Sequence, residues 1–356
     1  NFLFLPLSEV PPAPGQGALA IECREEEKSQ NSELYQLLTK LNHERSARET
    51  QKEKEIFQQY GGSCHLPLGV YVKNIGDNDN YYLSIVKGEV DSKKISYQKI
   101  SPQKEKIQIE SPIFIGLPPT KAKNYNLQPH DRPRPLQFVF DEVINKCEIP
   151  VDCTDKIDGG FYNNIVVTSN YCLHALPADY DKRPWACLWA RLWAAGIHTM
   201  FALFKKGHWV NGSASYDREE EMANFIGFNF KQQKNIKSLV LTSETAAAAA
   251  TAAAGNSESL ACYRHQIVDA SGAVSATDRA TYQENLLACK IFYWSSFSQY
   301  KIFCKLYPQI EIDHRQQQGN TLHCVGIGKT WRRFLAEKLP VNPFISIEHF
   351  INWING

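Results

Sequence analysis

The chain has 356 residues, 43% of them apolar and 22% charged, and that composition excludes a disordered chain, a collagen and a disulfide mini-protein. At roughly 150 residues per domain the length implies two or three domains. Lysine and arginine number 39 against 38 aspartate and glutamate, a net charge of +1, so no global field draws the chain to nucleic acid or an anionic membrane. A polyanionic substrate would have to be met by local basic or backbone donors. The 10 cysteines include no C-x-x-C pair, against a zinc ribbon, a thioredoxin-type motif and a dense disulfide framework. They read as small buried hydrophobes in a reducing, cytoplasmic compartment. No basic-then-apolar leader opens the chain, and the start at Asn1 reads as an N-terminal truncation.

In chain order, the Pro/Gly turn Pro11 to Gly17 runs into an apolar strand, Ala18 to Ile21. Ser32 caps a helix with an apolar stripe of Leu34, Leu37, Leu38 and Leu41. A charged helix over about 43–60 carries Glu44–Arg48 and Arg45–Glu49 at i, i+4, and Gly61-Gly62 end it before the loop Ser63-Cys64-His65. Leu66–Lys73, Tyr81–Val86 and Lys93–Ile100 are read as strands, with Asp77 to Asn80 as a turn. The Pro- and Lys-rich stretch 101–135 is read as the linker.

Beyond it, apolar strands alternate with helices. Trp185 to Phe204 has nearly the length of a membrane span, but Arg191, His198 and Gly196 divide it into a helix to Ala195 and a strand over Ile197–Phe204. Ile165–Ser169, Leu239–Ser243 and Ile291–Ser296 are strands ending in Thr-Ser or Ser-Ser, and the alanine-rich stretch 244–254 is a surface helix. Val325–Gly328 precedes a helix over 329–338, and Ile347–Ile354 closes the chain. Strand, small polar residues, helix, repeated, is the pattern of a parallel α/β fold. It puts Thr168, Ser169, Ser295 and Ser296 at the carboxyl edge of a sheet, as ligands for carboxylates or as ordinary helix caps.

Two stretches resemble known families. Pro12-Ala13-Pro14-Gly15-Gln16-Gly17-Ala18 through Arg24, then Asn42-His43-Glu44, Glu53-Lys54-Glu55-Ile56 and Gly61-Gly62-Ser63-Cys64-His65-Leu66-Pro67, resemble hydroxymethylbilane synthase (porphobilinogen deaminase) over residues 9–100. The resemblance implies that residues 1–24 are the tail of that enzyme's second domain and 25–110 its α+β third domain. It also implies that Cys64 carries a dipyrromethane cofactor by a thioether, where spacing alone would leave an inert loop thiol. Lys54, Lys73 or His65 would favour the thiolate, and Lys54 stands where the family usually has arginine. The family's catalytic aspartate and carboxylate-binding arginines lie in parts not matched here, so porphobilinogen polymerisation is not expected of this chain alone.

Residues from about 160 to 356 are similar to uroporphyrinogen-III synthase through Thr168-Ser169, Tyr263, Tyr293-Trp294-Ser295-Ser296, Gly326-Ile327-Gly328-Lys329-Thr330 and Ser346-Ile347-Glu348, and the module is taken as 111–356. The resemblance implies a bilobal α/β module with parallel sheets, which closes hydroxymethylbilane with inversion of its last ring and needs no metal. Tyr263 would assist departure of the hydroxyl, Thr330 would bind a carboxylate, and Thr168, Ser169, Ser295 and Ser296 would bind substrate. Where a Gly-x-x-Thr is usual, the chain reads Leu188-Trp189-Ala190-Arg191. The alternative is a non-catalytic module that partners a separate deaminase.

Overall fold

The computed structural model describes residues 3–63, 65–76, 81–102, 109–125, 127, 136–159, 162–182, 191–214, 237–251, 257–268, 276–316 and 321–355. The chain forms two compact units, one of Leu7–Glu105 and one of Asn1–Pro6 with Lys106–Gly356.

The first unit is helical at its start and antiparallel at its end. Helices Glu25–Ser29, Glu33–Leu41 and Glu44–Gln58 precede strands β1 (Leu68–Asn74), β2 (Tyr82–Val90) and β3 (Lys93–Ser101), ordered β1-β2-β3. Ser32 caps the second helix by accepting the Tyr35 N–H at 3.2 Å. The third helix carries both expected ion pairs, Arg45–Glu49 and Arg48–Glu44. It ends where Gly61 takes φ +100°, a conformation that strains any residue with a Cβ. Alternation along β1 buries Leu68, Val70 and Val72 against Val86 and the helix side chains Ile56 and Phe57. Asp91 and Ser92, both at positive φ, form the two-residue turn between β2 and β3.

Two expectations fail in this unit. Ala18–Ile21 forms no strand: no partner offers it a ladder among the described residues, and Leu19 is 100% exposed. The leucine stripe is a helix face, but Leu34, Leu37 and Leu41 lie open to solvent. The expected turn Asp77–Asn80 lies outside the described residues.

The second unit holds two sheets. In chain order its strands are β4 (Ile113–Ile115), β5 (Phe138–Phe140), β6 (Ile144–Glu148), β7 (Asn164–Val167), β8 (Arg191–Ala194), β9 (Gly212–Ser213), β10 (Ser238–Ser243), β11 (Ser257–Ile267), β12 (Ile291–Trp294), β13 (Leu322–Gly326) and β14 (Asn342–Phe344). One sheet runs β6-β11-β10-β7-β8-β9, parallel except for β6 on β11. The other runs β14-β13-β12-β4-β5 and is wholly parallel. The chain passes between the sheets at Asp141–Val143 and again after β11, and Val268 N–H donates to Val143 O at 2.8 Å where the two crossings meet.

Three segments depart from the sequence reading. Arg191–Ala194 is strand β8, not the end of a helix. Leu192, Trp193 and Ala194 are buried inside the parallel sheet, and such a continuous apolar run mimics helical spacing. Ile197–Lys205 is then the helix, with Gly196 at its start, burying Thr199, Met200 and Leu203 on one face. The supposed linker contains β4, fully buried between β12 and β5, and the short helix Pro119–Ala122. A three-residue strand shows no period of its own, so pairing with β12 alone decides it. No helix among the described residues is long and apolar enough to cross a membrane.

The two sheets have cores of different character. The six-stranded sheet packs mostly aliphatic and small side chains, such as Ile165, Val167, Leu192, Leu239 and Leu241. Beside the five-stranded sheet, Trp294 lies 5.0 Å from Phe114 and 5.6 Å from Phe303 between ring centres. Its indole N–H donates to His323 Nδ1 at 2.9 Å, and the His323 ring stacks on His314 at 3.6 Å. His314 Nε2 donates to Pro340 O, and its Nδ1 is hydrogen-bonded to the Tyr300 hydroxyl at 3.0 Å. Burial lowers the pKa of each imidazole, that of His323 well below the usual value.

Candidate functional site

The carboxyl ends of strands from both sheets surround a cavity of about 630 Å³. Thr168 and Ser169 follow β7, Tyr263 lies on β11, Ser295 and Ser296 follow β12, and Thr330 is in the first turn of the helix Lys329–Ala336. All six line this one cavity. They meet because a parallel strand delivers the next helix N-terminus to the same edge each time. Gly328, at φ +102° and ψ −146°, holds backbone that glycine alone adopts readily and so sets the last of these helix starts.

The hydroxyls differ in what they have left to give. Thr168 Oγ1 donates to Leu241 O at 2.9 Å, and Ser295 Oγ donates to Gln299 Oε1 at 3.0 Å, so both protons are used within the protein. Ser169 and Ser296 act as helix caps, accepting the N–H of Tyr171 at 3.4 Å and of Gln299 at 3.2 Å. A cap uses a lone pair, and the serine keeps its own proton for an anion. The cap role is thus what the geometry shows for both serines, and it leaves each hydroxyl proton available.

Gln299 is the brace behind Ser295. Its Oε1 accepts the Ser295 N–H at 2.9 Å, and its Nε2 donates to Gly116 O at 3.1 Å and to Asp141. Asp141 Oδ1 accepts the N–H groups of Val143 and Ile144 at the first crossing between the sheets. Burial raises the Asp141 pKa against these hydrogen bonds.

The charged lining of the cavity did not stand out in the sequence. Lys121, Lys146, Lys329 and Arg333 face it together with a single carboxylate, Glu148, among the described residues. His198, His265 and Tyr171 line it as well. Burial lowers the His265 pKa, and Lys146 adds to the effect. The Tyr263 ring lies 5.5 Å from that of Tyr171 and 5.8 Å from that of His265. Arg333 was within reach of sequence reasoning, since it stands one helical turn after Thr330 on the same face. Lys121 was hidden in the supposed linker, and Lys146 in an unforeseen strand.

Cys64 lies outside the described residues. On either side of it Ser63 and His65 are exposed, in the loop that follows the Gly61 turn. Of the thiolate-favouring neighbours suggested by the sequence, Lys54 and His65 are exposed and Lys73 is half-buried. Glu53, in the deaminase-like helix segment, ties the deaminase-like turn to strand β1: its carboxylate accepts the Gly15 N–H at 2.8 Å and the Val72 N–H at 2.9 Å. Residues 188–190 of the altered synthase segment are outside the described residues, and Arg191 opens β8.

No family model matches the chain. The porphobilinogen deaminase of Geobacillus kaustophilus is 41% identical over 70 residues, 20% of this chain and 21% of that protein. That of Clostridioides difficile is 32% identical over 114 residues, 32% of this chain and 34% of that protein. These matches fall on the first part of the chain. That part is similar in sequence to porphobilinogen deaminase. The deaminase-like part leaves most of the relatives unmatched, since the chain spans about a fifth to a third of their length. Among solved structures, a mutant uroporphyrinogen III synthase from Thermus thermophilus aligns with 69% of this chain and 97% of its own, at 10% identity and a TM-score of 0.43. A second structure of the Thermus thermophilus enzyme covers 69% and 98%, at 11% identity and a TM-score of 0.37.

Proposed function

We propose that the chain serves tetrapyrrole biosynthesis, as the C-terminal part of a hydroxymethylbilane synthase fused to a uroporphyrinogen-III synthase that works in the cytoplasm. One observation carries the synthase reading. Six residues expected to hold or activate the substrate come from four separate segments and line one cavity, where four fixed cations face one carboxylate among the described residues. Hydroxymethylbilane, with eight carboxylates, matches that charge. Loss of its hydroxyl as water leaves an azafulvene cation, and attack by a substituted pyrrole carbon closes the ring through a spiro intermediate. Electrophile and nucleophile both belong to the substrate, so holding the chain in a folded pose is most of the catalysis. Tyr263 assists departure of the hydroxyl, and Thr330, Ser169 and Ser296 hold side-chain carboxylates. Thr168 and Ser295, with their protons already committed, shape the rim. In the deaminase-like unit Cys64 carries a dipyrromethane by a thioether, and that group supplies the primer for pyrrole addition.

The product isomer tests the synthase assignment. Uncatalysed closure gives the type I isomer, so type III measures catalysis against a built-in background. Tyr263→Phe should lower type III formation about 10- to 1000-fold, the range for a lost proton transfer. Equal type III from both proteins would demote Tyr263 to scaffold. Only type I from folded wild type would leave the non-catalytic partner of a separate deaminase.

A further inference from the structure

Lys121 and Lys146 reach the cavity from different sheets and meet at the same ring. Lys121 lies on the short helix after β4, in the five-stranded sheet's half, and Lys146 on β6 of the six-stranded sheet. Tyr171, in the turn after β7, stands between them. The Lys121 ammonium donates to the Tyr171 hydroxyl at 3.0 Å and lies 5.2 Å from the ring centre, and the Lys146 ammonium lies 5.5 Å from it. Neither forms an ion pair among the described residues. Asp141, the carboxylate whose field Lys146 feels, is held by Val143, Ile144 and Gln299. Glu148, the cavity's carboxylate, faces His174 at 3.6 Å.

Two like charges on one ring repel unless something anionic lies between them. Both side chains are exposed, so a ligand can reach them. They nonetheless stand on a concave wall, where surrounding protein sharpens their field. The Lys146 pKa is lowered, first by that surrounding mass and then by Lys121. The Tyr171 ring packs on Tyr263, so an anion held here lies beside the residue proposed to act on the substrate's hydroxyl.

We propose that Lys121, Lys146 and Tyr171 form a carboxylate clamp that joins the two halves of the cavity, binding one substrate side chain across them and drawing the halves together around it. The clamp rests on the polycarboxylate reading above and adds the residues that hold one end of the substrate. It is a binding and positioning device, so its removal should raise KM far more than it lowers kcat.

The test uses the full chain and two fluorescence-quenching or calorimetric probes, benzenehexacarboxylate and an octacarboxylic porphyrin. Lys121→Met and Lys146→Met should each weaken both probes about 10-fold, as expected for a lost charged hydrogen bond, and should flatten the dependence on salt. Lys123→Met, on the same segment but outside the cavity, should change neither. Binding of both probes that ignores Lys121 and Lys146 overturns the clamp and leaves the tetrapyrrole reading standing. Lysine-dependent binding of benzenehexacarboxylate without binding of the porphyrin keeps the clamp and overturns the tetrapyrrole reading. Binding of neither probe overturns both.

Discussion

In the antiparallel unit, one side chain on the deaminase-like helix holds the deaminase-like turn against the sheet. Glu53 ties the turn at Gly15 to strand β1 at Val72, so backbone 38 and 19 residues away is held by the same carboxylate. In the α/β unit no short motif plays that part, and the cavity draws its walls from Lys121 to Arg333. The units differ in their interiors as well. The antiparallel unit has a modest aliphatic core and an open leucine face, whereas the α/β unit adds a packed set of aromatic rings around two stacked histidines. Similarity detectable over a short stretch therefore goes with local restraint, and a site assembled from distant segments leaves little trace in any one of them.

The largest effect expected from this contrast is in the aromatic core. Trp294→Ala should destabilise the α/β unit by about 3–5 kcal/mol, the range for removing a buried large aromatic. All seven tryptophans lie between residues 185 and 353, so tryptophan fluorescence in urea reports on that unit alone. Hydrogen exchange of β1–β3 should meanwhile stay as in wild type. Joint loss of protection in both units would show that they do not unfold separately.

The units should also respond to mild acid with opposite sign. In the α/β unit, burial lowers the pKa values of His265, His314, His323 and His349. The unfolded chain then binds more protons than the folded unit below about pH 6.5, so stability is full above that pH and falls as these groups are forced to protonate. The raised pKa of Asp141 opposes this, one group against four. In the antiparallel unit the Glu53 pKa is raised, chiefly by burial. Its folded form takes up a proton before the unfolded form does, so this group adds stability as pH falls through its folded pKa towards the ordinary value of 4.5. Urea midpoints at pH 7 and pH 5.5 should drop for tryptophan fluorescence and hold or rise for exchange of β1–β3. A parallel fall in both would remove the contrast.

The smallest effect should come from the open leucine face. Leu37 is 58% exposed, so Leu37→Glu should change the stability of the antiparallel unit by no more than about 0.5 kcal/mol. A loss of 2 kcal/mol or more in a thermal melt would mean that this face is covered in solution.

Much of the framework was legible locally. The Ser32 and Ser296 caps, the i, i+4 ion pairs on the helix Glu44–Gln58 and the strand β12 before the helix Phe297–Leu306 all follow from neighbouring residues. So does the recurrence of small hydroxyl residues at strand ends, which led to Thr168, Ser169, Ser295 and Ser296. Capping, helical spacing and strand alternation act within a few residues, so a linear reading can recover them.

What the sequence by itself determined was therefore the class of each segment wherever its own residues set the period, and the chemistry available at the strand ends. Tertiary structure decided the rest. Arg191–Ala194 became a strand because β7 and β9 flank it, and Ile113–Ile115 left the supposed linker because β12 and β5 bury it. Lys121 and Lys146 became partners because the chain crosses between two sheets and brings both to Tyr171. Strand pairing and charge convergence depend on which distant segments lie side by side, and that information belongs to the folded chain and not to any window of its sequence.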